Sequence, residues 1–416
     1  YTERGTKNTA IRVESLIDFE EKFGYACKIA ISDEDKINGL EYKLHESMRL
    51  FYANGGGICY VVSVGNYEDA ISNTALETGI SMLEPIDEVT MIVVPDAVSL
   101  EIKDLASVQN AALAQCLELK DRVAILDVKD TGNCNTDATK FRNSIGTKGA
   151  SYGAAYYPYI KSVYDREINV YDIYKGLGLS GNELEDAQKY AVLSEPTEES
   201  TLFAKQLMSK PEYAKLVAKI QEQANLLPPS GAIAGIYCAN DNQRGVWHAP
   251  ANMSVSGISD INVRISDKQQ GELNEDTSGK CINAIRAFQG KGILVWGART
   301  LDGLSSEWKY ISVRRFFNYV EESIQESTAW AVFQPNDANT WVKVRCQIEN
   351  FLSNLWRDGA LAGSTPQEAF YVRVGINQTM TAQDILNGYM IVEIGMAAVR
   401  PAEFIVLQFS HKLQES

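Results

Sequence analysis

Histidine is nearly absent from this chain of 416 residues: only His45, His248 and His411 occur, far apart in sequence. That starves metal binding and acid–base catalysis of their commonest side chain. Proline is scarce too, eleven against thirty glycines, which excludes collagen-like repeats and long proline-rich linkers. No CxxC pair occurs. The seven cysteines, Cys27, Cys59, Cys116, Cys134, Cys238, Cys281 and Cys346, are scattered, with no two closer than 18 residues. An odd, dispersed count inside apolar stretches reads as reduced core thiols made in a cytosol, not as a disulfide framework. No apolar run approaches the ~18 residues of a membrane span, and the run 91–94 is broken at once by Pro95-Asp96. No basic-then-apolar leader opens the chain, which begins at Tyr1 and leaves room for a missing or processed N-terminal piece.

Positive charge is in deficit. Lys plus Arg number 39 against 54 Asp plus Glu, a net charge of −15. Such a surface repels phosphate backbones and anionic lipid, which argues against nucleic acid and membrane as partners. Residues 295–416 hold ten basic and thirteen acidic side chains, so the first 294 residues hold 29 and 41. The acidic face therefore belongs to the first body, and the near-neutral last part is the better packing partner.

What is present reads as alternating elements. Residues 15–23 predict a short helix with Ser15 as N-cap and Asp18 three residues on. Residues 39–53 predict a helix with Leu40, Leu44, Met48 and Phe51 on one face, closed by Gly55-Gly56-Gly57 and followed by a strand at 58–64. The β-branched runs 90–94 and 123–128 flank a helical stretch, 105–119. Strand, helix, strand at that spacing is a βαβ unit with parallel strands, and 151–157 adds another strand. Residues 176–227 are polar and helical. Pro211 opens a helix whose stripe is Leu216, Ile220, Ala224 and Leu227, an elaboration outside the α/β body. Strands are expected at 232–237 and 293–296. Beyond Trp308 two long amphipathic helices follow, one through Ile311, Phe316, Val320 and Ile324, the other over 339–360 with Asp337 as N-cap. Strands at 369–374, 390–399 and 404–409, with a short helix from Thr381, complete an α+β unit.

The chemistry-bearing patterns are weak. Gly55-Gly56-Gly57 follows a helix and opens a strand, the reverse of a phosphate loop, and reads as a helix end. The run from Asp127 to Gly132 resembles the start of a calcium loop, but Lys129, Thr131 and Ala138 stand where oxygen ligands belong. Asp241, His248 and Ser230 form no spaced triad, and no GxSxG occurs. Asp33-Glu34-Asp35 reads as an acidic helix-opening turn. No catalytic, cofactor-binding or metal-ligating set is assigned.

One feature asks for a partner. Phe404, Ile405, Val406, Leu407, Gln408 and Phe409 are apolar on both faces, seven residues from the end. A strand of this kind at an open edge invites aggregation, so it is either central in its own sheet or enters another subunit's. Burying five such side chains at ~1.5–3 kcal/mol each contributes ~7–15 kcal/mol before ordering costs. Arg400 and Pro401 form the extended hinge before it. On these residues alone the intramolecular option is favoured.

Longer segments then carry a resemblance. PPSGAIAGIYCANDNQRGVWHAPAN (228–252), GILVWGARTL (292–301), the stretch from PNDANTWVKVRCQIENF to FYVRVG (335–375) and NGYMIVEIGMAAVRPAEFIVLQFSHK (387–412) closely resemble contractile tail sheath proteins of phages, R-type pyocins and extracellular injection systems. Residues 44–64 fit the family's early region. The resemblance implies an α/β outer domain with a mixed, partly parallel sheet, residues 1–292, carrying a helical insertion at about 176–227. It implies an α+β inner domain, residues 293–416, of two long helices over a small sheet completed by neighbouring subunits' strands. It turns 403–411 into an exchange strand, reversing the intramolecular preference. It implies a non-enzymatic subunit without cofactors that forms stacked six-fold rings. Its partners would be copies of itself, an inner tube protein, and baseplate and cap proteins. It would assemble in the bacterial cytoplasm and act in a phage tail or released particle. A non-contractile fibre or surface-layer subunit is the alternative, and an α/β hydrolase or nucleotide-binding enzyme the more distant one.

Overall fold

The computed structural model describes residues 1–32, 36–193 and 195–403. The acidic run Asp33-Glu34-Asp35, the strand segment 404–409 and His411 lie outside the described residues.

The chain opens with strand β1 (Ala10–Val13), then helix α1 (Leu16–Phe23), where the Ser15 hydroxyl accepts from the Asp18 amide as its N-cap. Helix α2 (Leu44–Ala53) starts five residues later than the apolar spacing suggests. Its N-terminal donors are capped from a distant loop, because Asp96 Oδ1 accepts from the amides of Lys43 and Leu44 at 2.6 and 3.0 Å. Leu40 therefore precedes the helix, while Met48 and Phe51 are buried on it. Gly55, at φ 97°, ends α2 and lets the chain turn into strand β2 (Cys59–Val62). β2 pairs antiparallel with β1, Val13 opposite Cys59.

Helix α3 (Asn73–Ser81) leads to the expected unit: strand β3 (Met91–Val93), helix α4 (Ile102–Leu119) and strand β4 (Val123–Asp127). Helix α5 (Cys134–Ser144) and strand β5 (Gly153–Tyr157) follow. β3, β4 and β5 are parallel, with Met91 opposite Val123 and Ala124 opposite Gly153. The polar stretch after Gly176 forms helices α6 (Asn182–Ala191), α7 (Glu198–Met208) and α8 (Pro211–Ala224), with Pro211 in the first turn of α8 as expected. Ile220 and Ala224 are buried, but Leu227 leaves the stripe and joins a short strand, Leu226–Leu227, paired with Ile160–Ser162.

Residues 232–237 are not a strand. They lie inside helix α9 (Ser230–Arg244). Its run Ala232, Ile233, Ala234, Ile236 and Tyr237 is buried on every side, so no 3.6-residue periodicity marks it as helical. Small residues let it sit against α2. A methyl group added at Gly235 would lie 2.3 Å from the Phe51 carbonyl oxygen, and one at Gly231 would lie 2.6 Å from that of Ser47.

Strand β6 (Met253–Ser254), strand β7 (Ile282–Phe288) and strand β8 (Gly292–Val295) complete the large sheet in the order β6-β8-β7-β5-β4-β3. β7 runs parallel to β5 and antiparallel to β8, so the sheet is mixed. One face carries α4 and α5 over Leu113, Phe141 and Ile282, and the other carries α2 and α9 over Ile125, Ile233 and Ile285.

In the last part the two long helices, the short helix and the first two strands form where the sequence indicates. Helix α10 (Ile311–Thr328) and helix α11 (Ala338–Arg357) pack through Phe316, Val320, Val344, Ile348 and Leu352. Asp337 caps α11 by accepting from the Thr340 amide. Strand β9 (Phe370–Arg373), helix α12 (Ala382–Leu386) and strand β10 (Glu393–Met396) follow. β9 and β10 pair antiparallel, Phe370 opposite Met396, as a sheet of two strands among the described residues.

Candidate functional site

The residues that raise an enzymatic question are not brought together. Ser230 donates its amide and hydroxyl to Asp127 at 2.9 and 2.5 Å. Burial pushes the Asp127 carboxyl up to about 7 against the lowering effect of those two bonds. Asp241 forms a two-pronged pair with Arg315 on α10. His248 is exposed beside the Trp247 ring. No hydrogen bond joins the three among the described residues. Asp130 accepts from Gly132 and Tyr159 amides as a turn, not a cation cage. Asp87, Glu322 and Glu326 bring carboxylate oxygens within 4.8 Å of one another, and partial burial beside like charges raises the Glu322 carboxyl. All seven cysteines are unpaired. Cys116, Cys134 and Cys281 are buried, whereas Cys346 is exposed, contrary to the expectation of core thiols throughout. Among the described residues, no helix is long and apolar enough to cross a membrane.

The surfaces that stand out are those of association. A groove of about 400 Å³ separates β2 from β3, lined by Met48, Phe51, Val61, Ile80, Ile92 and Ala234. The small sheet β9–β10 leaves both of its outer edges without a strand partner among the described residues. Near it, Leu386, Tyr389 and Ile391 are exposed, and Phe333, at φ 64°, is fully exposed between α10 and α11. The two loops are tied, since Asn336 Nδ2 donates to the Tyr389 carbonyl at 2.9 Å.

Of the residues expected to mediate association, Phe404, Ile405, Val406, Leu407, Gln408 and Phe409 lie outside the described residues. Arg400 is exposed and its Nη1 donates to the Ser306 carbonyl at 2.5 Å, and Pro401 is half-buried. Sequence reasoning missed the neighbouring contact. Glu403 accepts from Arg299 Nε at 2.8 Å and Nη2 at 2.6 Å, and from the Tyr310 hydroxyl at 3.2 Å. Arg299 is 3% exposed. Burial works against its charge, and Glu403 together with Cys281 more than offsets that. The signal available was an arginine inside the apolar run 292–301, which demands a buried partner.

Comparison with known proteins decides the family. Residues 69–301 match the phage tail sheath protein central domain, and residues 305–412 match the phage tail sheath C-terminal domain. The chain belongs to the phage tail sheath family. Members of this family are structural sheath proteins. The tail sheath protein of Vibrio phage KVP40 is 23% identical over 193 residues, 46% of this chain and 27% of its own length. That of Enterobacteria phage T4 is 25% identical over 126 residues, 30% of this chain and 19% of its own length. The match to these curated relatives thus spans about a quarter of their length or less. Two solved sheaths align over nearly the whole chain. The contracted PVC sheath complex of an extracellular contractile injection system is 30% identical with a TM-score of 0.67, covering 98% of this chain and 88% of that one. The contracted helical sheath of the anti-feeding prophage is 29% identical with a TM-score of 0.66, covering 98% and 89%.

Proposed function

We propose that this chain is a structural subunit of a contractile sheath. It polymerises as stacked rings around an inner tube and contracts to drive that tube through a target envelope. The observation that supports this most is the alignment of 98% of the chain with sheaths solved in their contracted state. Residues 1–292 form the outer domain, with a helical insertion at about 176–227, and residues 293–416 form the inner domain. Partners are further copies of the chain, an inner tube protein, a baseplate and a cap. Assembly takes place in a bacterial cytoplasm, and the finished subunit belongs to a phage tail or a released injection particle.

Connection between subunits runs through exchanged strands. The segment of Phe404, Ile405, Val406, Leu407, Gln408 and Phe409 adds to a neighbour's sheet, reached through Arg400 and Pro401. The unfilled edges of β9–β10 support this, since an added strand satisfies main-chain donors and acceptors while its side chains fix register. Head-to-tail contacts of this type propagate helically instead of closing in pairs. Contraction is then a change of packing between rigid bodies, without catalysis or bound cofactor.

Electron microscopy of the purified chain co-expressed with its tube protein tests the reading. Hollow, tube-filled cylinders of two distinct lengths are expected. Tubeless fibres of a single length would overturn it in favour of a non-contractile filament.

A further inference from the structure

The polypeptide reaches the segment 404–409 through a built contact. Glu403 receives two guanidinium nitrogens of Arg299 and the Tyr310 hydroxyl. Three residues earlier Arg400 is tied to the Ser306 carbonyl, so both contacts lie on the chain between Arg299 and Tyr310. Arg299 is itself held. Its Nη1 donates to the Asn274 carbonyl at 2.8 Å, and its amide donates to Asn283 Oδ1 at 2.7 Å. The Asn283 amide group returns a bond to the Arg299 carbonyl at 2.8 Å and adds one to the Ala155 carbonyl at 3.1 Å. Asn283 is fully buried on β7, and Ala155 is its neighbour's residue on β5. An unbroken line of hydrogen bonds thus runs from Glu403 to the middle strands of the large sheet.

We propose that this line is a mechanical anchor. Arg299 and Tyr310 fix the root of the C-terminal segment, and tension drawn through that segment enters the six-stranded sheet at Asn283. The root of the segment is accordingly held at Glu403 as well as at Arg400. Geometry favours this role. The Arg299–Glu403 pair is two-pronged and charge-assisted, and its cation is desolvated, so salt screens it little. The loop carrying Arg299 approaches β7 closely, since a methyl at Gly297 would lie 2.7 Å from Asn283 Oδ1. The source of the tension rests on the sheath reading above, but the anchor itself does not.

The test uses the full chain with Glu403→Ala, Glu403→Gln and Arg299→Lys, beside a chain ending at Glu403. Hydrogen exchange of the amides at 396–403 is followed in unassembled subunits, and the sedimentable sheath fraction is measured in parallel. Glu403→Ala is expected to speed exchange at least tenfold and to lower the sheath fraction at least fivefold. Glu403→Gln and Arg299→Lys, which keep part of the contact, should fall between it and the parent. Unchanged exchange in Glu403→Ala overturns the anchor. Faster exchange with an undiminished sheath fraction overturns its mechanical role, provided the chain ending at Glu403 fails to assemble. If that shortened chain assembles normally, strand exchange is refuted instead, and exchange rates alone decide the anchor.

Discussion

Ser230 gives Asp127 both of its donors, an amide at 2.9 Å and a hydroxyl at 2.5 Å, at the junction of α9 with the C-terminal end of β4. The carboxyl is fully buried and is pushed up to about 7 from its ordinary 3.8. Between those two values the folded chain keeps a proton that the unfolded chain has released. Stability contributed by Asp127 therefore falls as pH rises from ~4 to ~7, then levels off. The full effect is at most on the order of 4 kcal/mol. Urea unfolding at pH 5 and pH 8 should show a larger loss for the parent than for Asp127→Asn, which cannot ionise. Equal losses would refute the assignment.

The contact between α9 and α2 has no room for a side chain. Gly235→Ala gains about 1 kcal/mol of helix propensity and meets the Phe51 carbonyl oxygen at 2.3 Å. Overpacking costs of about 1–3 kcal/mol should win, giving a net loss read as a lower urea midpoint. A higher midpoint would mean that α2 can withdraw.

Arg315 on α10 is buried against α9, and Asp241 there is its carboxylate partner. Asp241→Ala strands the guanidinium. The expected cost is about 3 kcal/mol, because an unpaired buried cation is worse than no pair at all. The joint between the large sheet and the last two helices should then loosen first. Calorimetry is expected to split one transition into two, and a single, merely shifted transition would argue against that joint.

Packing many copies of a chain carrying −15 is repulsive. The Debye length shrinks from ~30 Å at 0.01 M salt to ~8 Å at 0.15 M, so salt should raise the sedimentable sheath fraction severalfold. No dependence on ionic strength would show that the acidic faces never approach one another.

Much of the large sheet was legible because its strands are short β-branched runs with clear stops. Met91–Val93 ends at Pro95-Asp96, and Val123–Asp127 ends at an Asp/Gly turn. The α10 and α11 helices were legible from their apolar stripes and from Asp337. What escaped depended on distant partners. The start of α2 is set by Asp96, some fifty residues on. Strand β7 carries Asn283 and Arg286, whose polarity hid it, and their partners are the Arg299 main chain and the Ile265 carbonyl. The first half of helix α9, through Tyr237, is buried all round and so carried no polar face to mark it. Of the expected association residues, the apolar segment was conspicuous in composition, whereas the Glu403 contact required knowing that an arginine 104 residues earlier lay beside it.

The glycines of α9 have a wider consequence. Where Gly231 and Gly235 meet the Ser47 and Phe51 carbonyls the two backbones approach with no side chain between them, which couples the helices tightly. A body reinforced in this way cannot absorb a large displacement by bending. Any change of length in a filament of such bodies must be taken up at the seams between them, and the energy released there is set by how neighbours fit.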